Sequence, residues 1–120
     1  MYQRKDEVLN RAKRKVLTLH ETTAQFSKFA LKEHFGTEEN DAILTVLNAH
    51  EFVAVDVREG SFDEKTYKRL RWSSLVRDWD ALETYVAEIR KTRQHPTLFQ
   101  EFELLARRWK TDPLKAEVRA

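Results

Sequence analysis

Apolar residues recur at spacings of three and four along most of the chain, the period of amphipathic α-helices. The first such stripe predicts one long helix over residues 6–34, or two helices joined at a bend. An unbroken helix of this length would measure about 40 Å, longer than a compact domain of this size is wide. The stripe occupies Leu9, Ala12, Val16, Leu19, Thr23, Phe26 and Ala30, and the weak helix formers that mark a bend are Thr18, His20, Thr22 and Thr23.

A second stripe, over residues 41–57, predicts a helix that Thr37 caps at its start and Gly60 ends. Ser61 opens a Ser-x-x-Glu capping box and Asp63 is itself a good N-cap, so either residue can begin the next helix. The pattern predicts a helix-corner-helix centred on Gly60. Phe62 is expected as the buried peg of this corner, and the buried side continues through Tyr67, Leu70, Leu75 and Trp79.

Two further helical patterns complete the chain. Residues 80–92 are amphipathic and follow either directly or after a kink at Ser73-Ser74, while Pro96 or Thr97 begins a last helix that ends near Lys110. We therefore predict an all-α bundle of four to five helices. It forms a single domain over residues 1–120, with a long N-terminal helix, a helical core at 38–110 and a tail at 111–120.

Composition agrees with an all-α fold and narrows the chemistry. The chain has only two glycines and two prolines, and 35% of its residues are charged, which favours long helices. Cysteine is absent, so disulfides, thiolate zinc sites and cysteine nucleophiles are excluded. No apolar run approaches the length of a transmembrane helix and residues 1–19 lack the apolar core of a signal peptide, so we expect a cytoplasmic protein.

Charge is distributed unevenly along the chain. Residues 1–20 carry a net charge of +4, residues 21–64 carry −7 and residues 65–120 carry +5. Segments of opposite sign are expected to neutralise one another across the bundle, whereas a nucleic-acid footprint needs one continuous basic face. The basic N-terminal run leaves contact with phosphates or with an anionic lipid surface as an alternative.

The sequence offers no complete catalytic or metal-binding motif. His50-Glu51 begins like half of a zinc protease motif, but Ala54 stands where the second histidine is needed. The four histidines lie on separate segments, and there is no glycine-rich phosphate loop or nucleophile elbow. We expect no catalytic residue, no metal and no cofactor, and therefore a protein that is not an enzyme.

Charged residues around the central helices are expected to form a structural polar network. Carboxylates forced together have raised pKa values and can act as general acids or bases, which leaves catalysis open. Interleaved arginines favour inert ion pairs instead, and Glu51 is expected to pair with Arg77 or Arg107. The predicted network consists of Glu51, Arg58, Asp63, Arg77, Asp78, Glu101 and Arg107, with Asp56 and Glu103 nearby.

Three stretches carry a family resemblance: LNAHEFVAVDVREGSFDEKTYKRL, SSLVRDW and FQEFELLARRW. Over roughly residues 40–110 they resemble the bacterial domain of unknown function 4760 family. The resemblance implies no activity. Many members resemble membrane proteins anchored by an N-terminal transmembrane helix, and residues 1–20 here are polar and basic, so no such anchor is expected.

The function predicted from these patterns is protein interaction. The first stripe has coiled-coil spacing, and the shorter helices are expected to leave it partly uncovered, so we predict a homodimer. A heterologous partner is the alternative: the chain would then be a small regulator or inhibitor, of mobile-element or phage type, that occludes a larger bacterial or phage protein. Weak nucleic-acid binding through the first helix is the third hypothesis. The predicted partner-binding residues are Leu9, Val16, Leu19, Arg11, Lys15 and Trp72.

Overall fold

A computed structural model describes residues 4–22 and 25–117, and within these ranges every regular element is helical. Four α-helices follow in chain order: α1 (Lys5–Thr22), α2 (Glu38–Arg58), α3 (Glu64–Thr92) and α4 (Gln100–Thr111). Two short 3₁₀ helices, Phe26–Ala30 and Lys32–His34, connect α1 to α2. The all-α class is therefore confirmed.

The first helix is not continuous to residue 34. It ends at Thr22, inside the segment where weak helix formers mark a bend; Thr23 lies outside the described residues. The helix α1 packs along α2, and Ala12, Val16 and Leu19 are buried there. The expectation that the shorter helices leave this seam partly uncovered is wrong for these three residues, because the break lets the chain place α2 against them, whereas Leu9 is only partly buried.

The corner between α2 and α3 forms at Gly60, whose φ of 81° is in the left-handed region. Ser61 N donates to Asp56 O (2.8 Å) and Gly60 N to Val57 O (3.2 Å), the hydrogen-bond pair of a Schellman motif. Of the two possible caps for α3, Asp63 is the one used, since it accepts a hydrogen bond from Thr66 N (3.3 Å). The Thr66 hydroxyl also donates to this carboxylate and lowers the pKa of Asp63.

Two residues of the corner are more exposed than the pattern predicts. Phe62 is 43% exposed and stacks on Tyr67 rather than entering the core, and Leu70 is 67% exposed. Leu75 and Trp79, further along, are buried as predicted. The first turns of α3 instead turn Tyr67 and Trp72 toward α4, where the Tyr67 ring lies 5.8 Å from that of Trp109 and Trp72 Nε1 donates to Trp109 O.

The helix α3 continues without interruption through Ser73 and Ser74 to Thr92. The helix α4 starts at Gln100, three or four residues after the predicted start at Thr97 or Pro96. The intervening turn places Phe99 at φ 60° with its ring buried, and Arg90 Nε donates to Leu98 O (2.8 Å) to hold the turn. The largest fully buried side chains are Trp79, Trp109, Tyr85, Phe26 and Phe102.

Candidate protein-binding groove

A groove runs between α1 and α3, with α2 as its floor, and it opens at one end onto the corner before α3 and the first turns of α3; we call it the α1–α3 groove. Three adjoining depressions form it, because neighbouring depressions share lining residues: Tyr67 joins the first to the second, and Lys13, Arg77 and Asp78 join the second to the third. The first measures about 320 Å³ and the second about 260 Å³, whereas the third, beside Leu17, narrows to about 20 Å³. Along α3 the groove extends from Tyr67 to Ala81, about 20 Å at the rise of an α-helix.

Helical periodicity places the lining residues on the two walls. Leu9, Lys13 and Leu17 recur every four residues and so share one face of α1. On α3 the same kind of spacing aligns a second set: Tyr67, Arg71, Ser74, Arg77, Asp78 and Ala81. The floor between them comes from α2 and includes His50 and Val53.

Large apolar side chains are exposed at both ends of the groove. Phe62 and Leu70 lie at one end, and Leu17 is 45% exposed at the other. Leu9, Val53 and Tyr67 are partly buried between them. Exposed apolar side chains of this size that cluster along a groove are typical of protein-interaction sites.

The middle of the groove holds a buried His–Asp pair. His50 Nε2 and Asp78 Oδ2 are 2.8 Å apart, and each residue is only 7% exposed. The His50 ring also stacks on Phe102 of α4 at a centroid distance of 4.5 Å. On its other oxygen, Asp78 accepts hydrogen bonds from Arg77 Nε and Nη2, both at 3.2 Å.

The groove does not bring a nucleophile to this pair. Ser74 lines the same depression, but its hydroxyl donates to the carbonyl of Arg71 (3.3 Å), and no hydrogen bond joins it to His50 within the described ranges. Residues 4–22 and 25–117 contain no group of three histidine, aspartate or glutamate side chains that could hold a metal ion.

The predicted polar network divides into separate groups. Glu51 pairs with neither Arg77 nor Arg107, so that expectation is wrong: its carboxylate accepts hydrogen bonds from the backbone nitrogens of Phe102 (2.8 Å) and Glu101 (3.3 Å). Because these amides are free at the N-terminus of α4, Glu51 caps that helix from α2. Arg58 extends this group by its ion pair with Glu101 at 2.5 Å.

Arg107 belongs to a different cluster. Its guanidinium and that of Arg90 both contact Glu103, each at 2.8 Å. Burial alone would raise the pKa of Glu103, but the hydrogen bonds and charges of Arg107 and Arg90 outweigh it and hold this pKa below its ordinary value. Asp63 stands apart as the cap of α3, and Arg77 and Asp78 belong to the groove.

Most of the predicted partner-binding residues do not lie on a freely exposed surface. Val16 and Leu19 are 4% and 9% exposed and form part of the core, whereas Leu9 is partly buried and lines the groove. Lys15 lies 3.9 Å from Glu39 on α2. Trp72 is not an exposed anchor, because it is half-buried and its Nε1 donates to Trp109 O (3.0 Å). Arg11 is exposed beside the separate cleft between α1 and the start of α2.

Sequence reasoning missed Leu17 and Arg71 as site residues and the pairing of His50 with Asp78, and it considered Lys13 only as part of the basic N-terminal run. The spacing of four that aligns Leu9, Lys13 and Leu17 was available in the sequence as a signal. The contact between His50 and Asp78, on different helices, had no signal in a single sequence, because it depends on how α2 and α3 are placed.

The fold and the groove together define the chain as an all-α domain with an open groove between two helices. The chain belongs to the family described as domain of unknown function DUF4760, whose model matches residues 1–109. The match extends the resemblance at residues 40–110 to the whole of α1. No curated protein and no solved structure matches the chain. Among the described residues, no helix has both the length and the apolar character needed to cross a membrane.

Proposed function

We propose that this domain is a non-enzymatic protein-interaction module that holds a segment of a partner protein in the α1–α3 groove. The observation that carries the proposal is the groove itself, about 20 Å long, with Leu17 exposed at one end and Phe62 and Leu70 at the other. Burying such side chains on binding supplies the main driving force for association, at about 25 cal/mol for each Å² of apolar surface removed from water.

The partner we favour is a different protein rather than a second copy. The homodimer hypothesis depended on an uncovered seam on α1, and Val16 and Leu19 are instead covered by this chain's own α2. Binding in the groove is compatible with the role of a small regulator that occludes its partner's surface. Self-association through the groove is retained as an outcome that the experiment can detect.

Site-specific photocrosslinking in cells of the native host tests the proposal. A benzophenone amino acid replaces Leu17 in one variant and Leu70 in another, and a matched control carries it at Phe52, which is 69% exposed on α2 and outside the groove. We expect the same heterologous adduct, identified by mass spectrometry, from both groove positions and not from Phe52. The purified partner should then bind the wild-type chain at least about tenfold more tightly than the Leu70→Asp variant.

Three results would overturn the proposal. The first is no adduct from either groove position, and the second is the same adducts from Phe52 as from the groove. The third is adducts of the chain with itself alone, accompanied by a dimer mass in light scattering, which would establish self-association instead.

A further inference from the structure

The cations of the α1–α3 groove outnumber its carboxylates. Lys13, Arg71 and Arg77 line its middle part, where Asp78 is the only acidic residue among the described lining residues. Within residues 4–22 and 25–117, no carboxylate lies at ion-pair distance from Lys13 or Arg71. The groove therefore has an unbalanced positive charge that a ligand can neutralise.

Arg77 is held in place for such a ligand. Two of its N–H donors bond to Asp78 Oδ1, and Asp78 is itself fixed by His50 at the buried floor of the groove. A guanidinium has five N–H donors, so three remain for a ligand. The Arg77 side chain is 57% exposed and accessible to one. A positioned guanidinium loses less side-chain entropy on binding a carboxylate than a mobile one.

Apolar contacts alternate with these cations. Leu9, Val53 and Tyr67 lie between them in the middle of the groove, and Leu17 and Leu70 lie at opposite ends. A groove length of about 20 Å corresponds to about four turns of an α-helix. Apolar anchors at helical spacing are the way in which amphipathic helices are recognised in grooves.

We propose that the α1–α3 groove binds an acidic amphipathic α-helix of a partner protein. The inference rests on the proposed function and adds the chemistry of the partner: leucine-like side chains fill the apolar positions, and glutamate or aspartate side chains pair with Arg71, Arg77 and Lys13. A nucleic-acid backbone fits less well, because it offers nothing to bury against Leu17 and Leu70.

The test uses the full chain and three labelled helical peptides that share one leucine face of four turns. Their flanking positions carry glutamate, glutamine or lysine, and fluorescence anisotropy gives each Kd at moderate salt. We expect the glutamate peptide to bind at least about tenfold more tightly than the glutamine peptide, and the lysine peptide to bind most weakly.

Variants locate the charge contacts. Arg71→Gln combined with Arg77→Gln should weaken the glutamate peptide by about tenfold and leave the glutamine peptide within about twofold. Arg69→Gln is the matched control, because Arg69 is an exposed arginine of the same helix outside the groove lining; it should change neither Kd by more than about twofold. Lys13→Gln provides a second groove variant that leaves Asp78 with both of its partners.

The outcomes separate this inference from the proposed function. Equal binding of the glutamate and glutamine peptides, with loss on Leu70→Asp, would overturn the acidic partner while supporting the groove. Absence of binding by all three peptides would also overturn the inference, and the photocrosslinking result then decides the proposed function by itself. Binding of a DNA oligonucleotide in place of the glutamate peptide, abolished in the double arginine variant, would assign the groove to nucleic acid.

Discussion

At the scale of single residues, Glu51 shows how a polar side chain of one helix can fix the start of another. Its carboxylate accepts two backbone hydrogen bonds at the N-terminus of α4, a position where a negative charge also interacts favourably with the helix dipole. The residue thus has a structural role, although its partners are amides and not the arginines that the sequence suggested.

Replacing Glu51 should reveal this capping role. Glu51→Gln keeps an acceptor and loses the charge, so we expect a loss of about 1 kcal/mol in the free energy of unfolding. Glu51→Leu leaves both amides without a partner and should cost about 2–3 kcal/mol. Urea denaturation measures both, with Glu83→Gln, an exposed change on α3, as the control. Equal and near-zero losses would contradict the cap.

The ionisation of Tyr85 is linked to folding. Its hydroxyl donates to Asn40 Oδ1 (2.5 Å), and burial raises the pKa of Tyr85 well above the ordinary value of 10.0. Above pH 10 the unfolded chain therefore releases this proton while the folded chain keeps it. The contribution of Tyr85 to stability is fully present below pH 10 and decreases as the pH rises.

A comparison with Tyr85→Phe isolates this effect. At pH 8 the variant should be about 1–2 kcal/mol less stable, because Asn40 Oδ1 loses its donor. Above pH 10 the difference should shrink by about 1.4 kcal/mol for each pH unit, since the variant has no proton to release at this position. Urea denaturation at several pH values between 8 and 11 measures the difference. A gap that does not change with pH would show that Tyr85 titrates alike in both states.

At the scale of elements, the corner between α2 and α3 depends on one residue in a left-handed conformation. Nothing lies within 4 Å of the position that a Cβ at Gly60 would occupy, so a substitution there meets a conformational cost without a steric clash. Gly60→Val should therefore cost at least about 1 kcal/mol, and Gly60→Asn less, because asparagine tolerates positive φ better than a β-branched residue. Thermal denaturation compares the two; a melting temperature unchanged by valine would contradict this account of the corner.

The helix ends that could be predicted from the sequence are those that depend only on neighbouring residues. The Thr37 cap, the Gly60 stop and the Asp63 cap each depend on a few neighbouring residues, and all three are observed. The start of α4 was misplaced because Pro96 and Thr97 satisfy the local rules for a helix start. The actual start at Gln100 depends on contacts from α2 and α3, namely the Glu51 carboxylate and the hydrogen bond from Arg90 to Leu98 O.

At the scale of the whole molecule, α1 is part of the core rather than a free arm. Val16 is 4% exposed against α2, and its neighbour Leu17 is 45% exposed on the groove side. A charge at position 16 would have to be buried without a partner, so Val16→Glu should cost about 3 kcal/mol or more. The matched change Leu17→Glu should stay within about 0.5 kcal/mol.

Chemical denaturation combined with light scattering distinguishes this packing from a dimer seam. If α1 belongs to the core, Val16→Glu lowers stability at every protein concentration. If instead Val16→Glu left stability unchanged and only converted a dimer to a monomer, the seam on α1 would be an interface between two chains, and the packing of α1 on α2 would be contradicted.

The helical class, the Thr37 and Asp63 caps, the Gly60 stop and the apolar faces of most helices could be predicted from the sequence. These properties depend on residues within one or two turns of one another, where spacing and side-chain chemistry decide the outcome. Tertiary structure alone decided that α2 covers the seam of α1, that His50 and Asp78 meet, that Glu51 caps α4, and that α1 and α3 leave a groove between them. The physical reason is that an apolar face is satisfied by any complementary apolar surface. The pattern of apolar residues in one sequence therefore indicates which face of a helix must be buried, but not which other helix covers that face. The pairing of polar side chains depends on how the helices pack together.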